Sequence, residues 1–294
     1  MFKQIVVGVD GGEGGRDAIA LAKHLVSKDG ELTLVYVYVG ELVRSRGSNP
    51  AYEAAEHEHG LDLLAAECEQ AGIKARLRVA GSPSVGRGLH ELAESSGADL
   101  LVIGSCQRGL LGRVFVGDDT RASVNGAPCA VAIAPAGYAQ EPSTMREIGV
   151  AYNESPESEH ALAVGRRIAA ETGARLSAFE AVALPAYRFL GGPEPVDESV
   201  EQFVELARER IARLGGVEPH AAYGAPAEEL ALYSASVDLL VIGSRGYGPI
   251  GRLVHGSTSQ QLARTARCPL LVLTRAARAS GLGVDEPVVE RVVD

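Results

Sequence analysis

Short apolar runs alternate with amphipathic stretches along the whole chain. "IVVGV" at Ile5–Val9 predicts a strand. Ala18, Leu21, Ala22 and Leu25 then fall on one face of a helix expected near Gly15–Ser27. Leu32–Val37 is the next expected strand, and Leu61, Leu64, Ala65, Cys68 and Ala71 form the stripe of a second helix. A strand near Ala75–Val79, a helix near Val85–Ser95, the strand Leu100–Ile103, a glycine loop, a short helix and the strand Ala130–Ala134 complete the series. The apolar strands are continuous rather than alternating, the pattern of strands buried on both faces. Strands separated by crossover helices predict an α/β fold, a parallel sheet with helices on both faces.

The series then repeats. "ADLLVIGS" (Ala98–Ser105) matches "VDLLVIGS" (Val237–Ser244), and Gly109, Gly112 and Gly117 continue in step with Gly248, Gly251 and Gly256. "IVVGVDGG" from Ile5 aligns with "IGVAYNES" from Ile148, "LTLVYV" from Leu32 with "LSAFEA" from Leu176, and "GSP" at Gly81 with "GAP" at Gly224. Val200, Phe203, Val204, Ala207, Ile211 and Leu214 stripe the second helix of the second half. A period near half the chain is too long for a solenoid and predicts two duplicated domains. The polar segment Pro135–Glu147 reads as the connector. The expected limits are a first domain over 1–138, a linker over 139–147, a second domain over 148–276 and a tail over 277–294.

Composition narrows the chemistry. The 294 residues carry a formal net charge of -10, with 46% apolar, 22% charged and 5% aromatic residues. That balance fits an aliphatic core and argues against nucleic acid or an anionic membrane as partner. No apolar run reaches the roughly 18 residues of a membrane span, and the amino end shows no cleavable leader pattern, so the cytoplasm is the expected location. Cys68, Cys106, Cys129 and Cys268 form no C-x-x-C pair, so reduced thiols are expected rather than metal ligands or disulfides.

Candidate chemistry lies after the last "LLVI" run. "GSRGYGPIGRLVHGST" (Gly243–Thr258) leads into "STSQQLART", a short helix that opens with capping residues. Glycines let amide N–H groups approach an anion, and a helix amino end adds free N–H groups and positive partial charge. Ser257, Thr258 and Ser259 add hydroxyls, so the stretch suits phosphate oxygens. Gly246-x-Gly248-x2-Gly251 fits the dinucleotide fingerprint in letters but follows the wrong strand, and Pro249 interrupts it. Gly251-x4-Gly256-Ser257 resembles a P-loop without its lysine, which argues against fast phosphoryl transfer.

Gly243-x2-Gly246-x9-Gly256-Ser257 resembles the signature of the universal stress protein family, and the resemblance extends over both halves. It implies two tandem Rossmann-like open five-stranded parallel sheets of order 3-2-1-4-5. It also implies ATP, ADP or AMP, with or without Mg, lying on the glycine loop. In the family an acid after the first strand and main-chain groups of the second strand hold the base. The residues this indicates are Asn153, Phe179, Gly224, Gly243, Arg245, Gly246, Gly256, Ser257, Thr258 and Ser259, with Asp10, Val35, Gly104 and Gly117 as weaker counterparts in the first half. A role in stress tolerance is likewise implied.

The halves depart from the pattern in complementary ways. The second keeps the full loop but has Asn153 for the acid, whose oxygen is expected to accept from an adenine amino group. The first keeps Asp10, but Gln107 and Asp118 replace a motif glycine and the hydroxyl residue. A carboxylate ~4 Å from a phosphate costs about 4 kcal/mol at an effective dielectric of 20, roughly three orders of magnitude in affinity. Nucleotide is therefore expected in the second domain only.

Plainer readings stand beside these. Asp10 and Asn153 read equally as turn or cap residues, Arg245 and Arg252 as solvated, His255 as structural and Cys106 as a bystander thiol. A ligand-free interaction scaffold and a small adenylating enzyme remain alternatives, although no general base or arginine finger is identifiable, and hydrolysis is expected to be slow at most. Ala130–Ile133 and Leu270–Leu273 are expected edge strands; the resemblance implies that such strands pair between subunits, and here the two halves could pair that way within the chain as a pseudo-dimer, with a homodimer open and the protein partner unknown.

Overall fold

The computed structural model describes residues 1–39, 50–105, 126–183, 196–243 and 257–274, the side chains at 50, 196–199 and 257–260 excepted. The first half runs β1 (Phe2–Gly8), α1 (Glu13–Leu25), β2 (Val26–Val39), α2 (Pro50–Ala71), β3 (Arg76–Ser82), α3 (Val85–Ser95), β4 (Leu100–Gly104) and β5 (Ala130–Ala134). The second runs β6 (Glu147–Ala151), α4 (Pro156–Thr172), β7 (Arg175–Val182), α5 (Val196–Ala212), β8 (Glu218–Tyr223), α6 (Pro226–Tyr233), β9 (Leu239–Gly243), α7 (Ser257–Thr265) and β10 (Leu270–Leu273).

Within each half every strand pair is parallel, and the order is β3-β2-β1-β4-β5 and β8-β7-β6-β9-β10. The repeat is in register: Ile5 sits between Leu32 and Leu100, and Ile148 between Leu176 and Leu239. The two expected sheets are continuous as one ten-stranded sheet, because β5 and β10 pair antiparallel through Ile133–Leu270, Ala132–Leu271 and Val131–Val272. Thr274 Oγ donates to the Cys129 carbonyl just beyond that ladder (2.9 Å).

Successive strand side chains enter opposite layers. Ile5, Val7, Leu100 and Val102 pack with α1 and Leu64 of α2, and in the second half Val150, Leu239 and Val241 pack with α4 and Ile211 of α5. Val6, Leu101, Ile103, Leu240 and Ile242 face α3, α6 and α7. The aspartate of each "DLLVIG" repeat holds the start of the first strand. Asp99 accepts from the N–H groups of Lys3 (2.8 Å) and Gln4 (3.0 Å), and Asp238 from those of Arg146 (2.6 Å) and Glu147 (3.1 Å).

Some local expectations shift. α1 starts at Glu13 and ends at Leu25, because Val26 already pairs with Phe2 before the chain bulges and rejoins at Glu31–Gln4. Ala65, expected on the inward stripe of α2, is exposed, whereas Glu67 is buried against Arg16. Leu214 lies past the end of α5. The connector is fastened down: the buried Asp17 carboxylate accepts from the N–H groups of Gly137 (2.9 Å) and Ala139 (2.7 Å). Tyr138 meets the His24 ring edge-on and shares a hydrogen bond with Ser143 (3.1 Å). No helix among the described residues is long and apolar enough to cross a membrane.

Candidate functional site

In an open parallel sheet the strand order reverses at a crevice beyond the carboxyl ends of two neighbouring strands. Here those crevices lie between β1 and β4 and between β6 and β9. Asp10 and Asn153 follow β1 and β6, are exposed, and each closes an Asx turn onto the start of the next helix. Asp10 Oδ1 accepts from the Gly12 N–H (2.9 Å). Asn153 Oδ1 accepts from both the N–H (3.3 Å) and the hydroxyl (2.6 Å) of Ser155, the N-cap of α4. The residue after each takes a positive φ, +77° at Gly11 and 58° at Glu154.

Val35 and Phe179, expected to meet a base through their main chain, are interior to the sheet. Their carbonyls accept from the N–H groups of Val9 (2.9 Å) and Tyr152 (3.0 Å). In a parallel ladder alternate residues turn both main-chain groups to the same neighbour. Val37 and Ala181 come next in that alternation, after β1 and β6 have turned away. Their N–H and C=O groups have no partner among the described residues. The signal that could have found them is the length of the first strand, whose end decides where the exposed edge of the second begins.

Gly104 and Gly243 end β4 and β9. A Cβ at Gly104 would fall on the Gly14 carbonyl oxygen, and one at Gly243 would lie 2.5 Å from that of Glu157. Both glycines therefore admit the first turn of α1 or α4 against the sheet. Gly224, just past β8, donates its N–H to Val182 (3.1 Å) and lies under the Glu229 side chain. Ser257, Thr258 and Ser259 form the first turn of α7. Arg245, Gly246, Gly256 and Gly117 lie outside the described residues, as do Cys106, Gln107, Asp118, Arg252, His255 and the segment 277–294.

The charges on the helices that follow the first and second strands are inverted between the halves. In the first half Arg16 of α1 pairs with Glu67 of α2 (3.1 Å). At the corresponding positions the second half has Glu159 and Arg210. Glu159 accepts from the Tyr152 hydroxyl, while Arg210 pairs with Glu180 (2.5 Å) and Glu154 (3.4 Å). Burial, followed by the bond to Glu159 and the neighbouring carboxylates, pushes the Tyr152 phenol well above its ordinary value. Among the described residues no cluster of His, Cys, Asp and Glu could hold a metal ion. A cleft of about 550 Å³ between α1, α2 and the connector is lined by Arg16, Lys23, His24, Glu67 and Pro142.

A family model, described as the universal stress protein family, matches residues 1–135 and again 144–274. Universal stress protein Rv2005c of Mycobacterium tuberculosis is 31% identical over 185 residues, which span 60% of this chain and 62% of that protein. Universal stress protein Rv2319c of the same organism is 24% identical over 92% of this chain and 99% of its own. A crystal structure of a universal stress protein from Archaeoglobus fulgidus superposes with a TM-score of 0.65 at 19% identity, covering 92% of this chain and 98% of that one, a likeness of fold. The chain belongs to the universal stress protein family and carries its domain twice.

Proposed function

We propose that the chain is a regulatory nucleotide-binding protein whose second half holds a purine nucleotide. The observation that carries this reading is the main-chain edge at Ala181 of β7, which meets no partner among the described residues and lies past the end of β6, the strand that Asn153 follows. Such an edge offers one donor and one acceptor to the rim of a planar base. The strand that follows the crevice runs into the glycine-rich stretch Gly243–Ser257, whose amides and hydroxyls suit a polyphosphate. The first half has a matching edge at Val37, but its loop carries Asp118 and Asp119, which repel one. The resemblance of the sequence to nucleotide-binding members of the family supports the same assignment, and ligand occupancy would act on the surfaces of the two halves rather than on a reaction.

Calorimetric titration of the full chain with ATP and GTP, with and without Mg²⁺, tests this. Saturable binding at one site per chain is expected. Gly256→Asp should weaken it by about three orders of magnitude by placing a carboxylate beside phosphate. A chain that binds no nucleotide at millimolar concentration, or a variant that binds like wild type, contradicts the reading and favours a ligand-free scaffold.

A further inference from the structure

The cleft of about 550 Å³ between α1, α2 and the connector is lined by residues of the described segments, and none of them belongs to the nucleotide reading. Its volume falls within the range of small-molecule sites, which combine mostly apolar walls with a few polar groups. Ile19 and Ala20 of α1, Ala71 of α2, and Ala139 and Pro142 of the connector supply the apolar walls.

The charges that line the cleft do not cancel. Arg16 and Glu67 are spent on one another, with the Arg16 Nε 3.1 and 3.2 Å from the two carboxylate oxygens and Nη2 3.1 Å from one of them. Burial holds His24 below its ordinary 6.5, with Lys23 adding to the fall, so its ring is uncharged at neutral pH. Lys23 is left as the surplus charge. Among the described residues its ammonium makes one bond, to the Ala71 carbonyl at the end of α2 (3.1 Å), which leaves two of its three protons to spend. The Gln70 amide also lines the cleft and meets no partner among the described residues. Arg166, at the position of Lys23 in the second half, gives both protons of Nη2 to the carbonyls of Leu214 (2.7 Å) and Gly215 (2.9 Å), which makes it a clamp on the helix end and a control for Lys23.

We propose that this cleft is a ligand site of the first half, independent of the nucleotide reading, for a small organic monocarboxylate with an apolar or aromatic body. The carboxylate meets the Lys23 ammonium, with the Gln70 amide as a second donor, and the body lies against the apolar walls. One negative charge matches the one surplus cation. A second would find no further unpaired cation among the lining residues and would face Glu67. Ala139 is one of the two connector residues that Asp17 holds, so an occupant bridges α1, α2 and the segment that joins the halves.

The test is fluorescence titration of the full chain with 2-naphthoate, with uncharged 2-naphthamide as the control. Wild type should bind one 2-naphthoate per chain, at least about tenfold more tightly than the amide. Lys23→Gln keeps a donor for the Ala71 carbonyl but removes the charge. It should weaken 2-naphthoate by about tenfold and leave the amide unchanged. Ala20→Phe fills the cleft and should abolish binding of both. If Ala20→Phe does not fold, Lys23→Gln, a substitution at an exposed position, decides alone. Arg166→Gln should bind as wild type does. A wild-type chain that ignores 2-naphthoate at millimolar concentration overturns the proposal, and so does an amide that binds equally well. Undiminished 2-naphthoate binding by Lys23→Gln or by folded Ala20→Phe, or its loss in Arg166→Gln, puts the probe elsewhere and overturns it too.

Discussion

At the scale of single residues, three acids do work that their position in the chain hides. Asp99 and Asp238 are part of an obvious repeat, yet their role, clamping two N–H groups at the start of β1 and β6, follows only from which strands are neighbours. Asp17 looks like a solvated helix residue but is 1% exposed and ties α1 to the connector. Burial raises its carboxyl above the ordinary 3.8, against two N–H bonds and with Glu13 adding to the rise. The folded chain therefore holds that proton more tightly than the unfolded chain. The contribution to stability is full below about 3.8 and is lost as pH rises through the folded value. Asp17→Asn removes the titration while adding a constant offset, so wild type should lose ground to the variant as pH rises from about 4. Urea midpoints across that range check this, and a pH-independent difference between the two proteins contradicts it. Asp10 and Asn153 were legible as end-of-strand residues with two readings each. The Asx turns realise the structural reading, while one oxygen of Asp10 and the nitrogen of the Asn153 amide meet no partner among the described residues.

At the scale of elements, what the sequence made legible is what periodicity and continuous apolarity encode. α3 at Val85–Ser95 and β5 at Ala130–Ala134 fall where the pattern puts them, because their buried faces are unambiguous. Ala65 did not, since alanine packs or faces water with little difference in energy, and an ion pair took the inward position beside it. Val35 and Phe179 missed the open edge by two residues because composition does not show where β1 and β6 stop. Gly243 was read as a loop glycine, yet its lack of a side chain is required by the approach of α4. Gly243→Ala sets a Cβ 2.5 Å from the Glu157 carbonyl oxygen and 2.7 Å from its carbon, backbone that cannot yield without moving the helix. It should cost about 1–3 kcal/mol. Gly173→Ala, at a left-handed φ of 74° with open space around it, should cost about 1 kcal/mol through its backbone alone. Urea denaturation of both variants separates the two effects, and equal losses would contradict the packing account of Gly243. The outer strands show a different economy: of the main-chain groups that β8 turns outward, Pro219 has no N–H, and the Ala221 carbonyl accepts from Arg208 (3.5 Å).

At the scale of the whole molecule, duplication was plain from the repeat, and pairing of the last strands was an expectation that came from the family resemblance. Continuity of the hydrophobic layers across the join was not, since it depends on how the two sheets align. One layer takes residues from both halves, Val102 and Ala132 with Leu239 and Leu271, and so does the other, Leu101 and Val131 with Leu240 and Val272. The two halves should therefore unfold together, in a single urea transition whose midpoint is the same by circular dichroism and by tyrosine fluorescence. Two separated transitions would show that the β5–β10 ladder does not couple them. The join has a further consequence. In an assembly of two identical subunits each contact appears twice, and any substitution must suit both appearances. Here the Met1 ammonium pairs with Glu171 and Arg167 lies over the Phe2 ring, contacts that unite one particular half with the other. Neither half has to remain compatible with a copy of itself, so each is free to diverge on its own side, and the acids in one glycine loop beside the hydroxyls in the other illustrate the liberty that an internal seam confers.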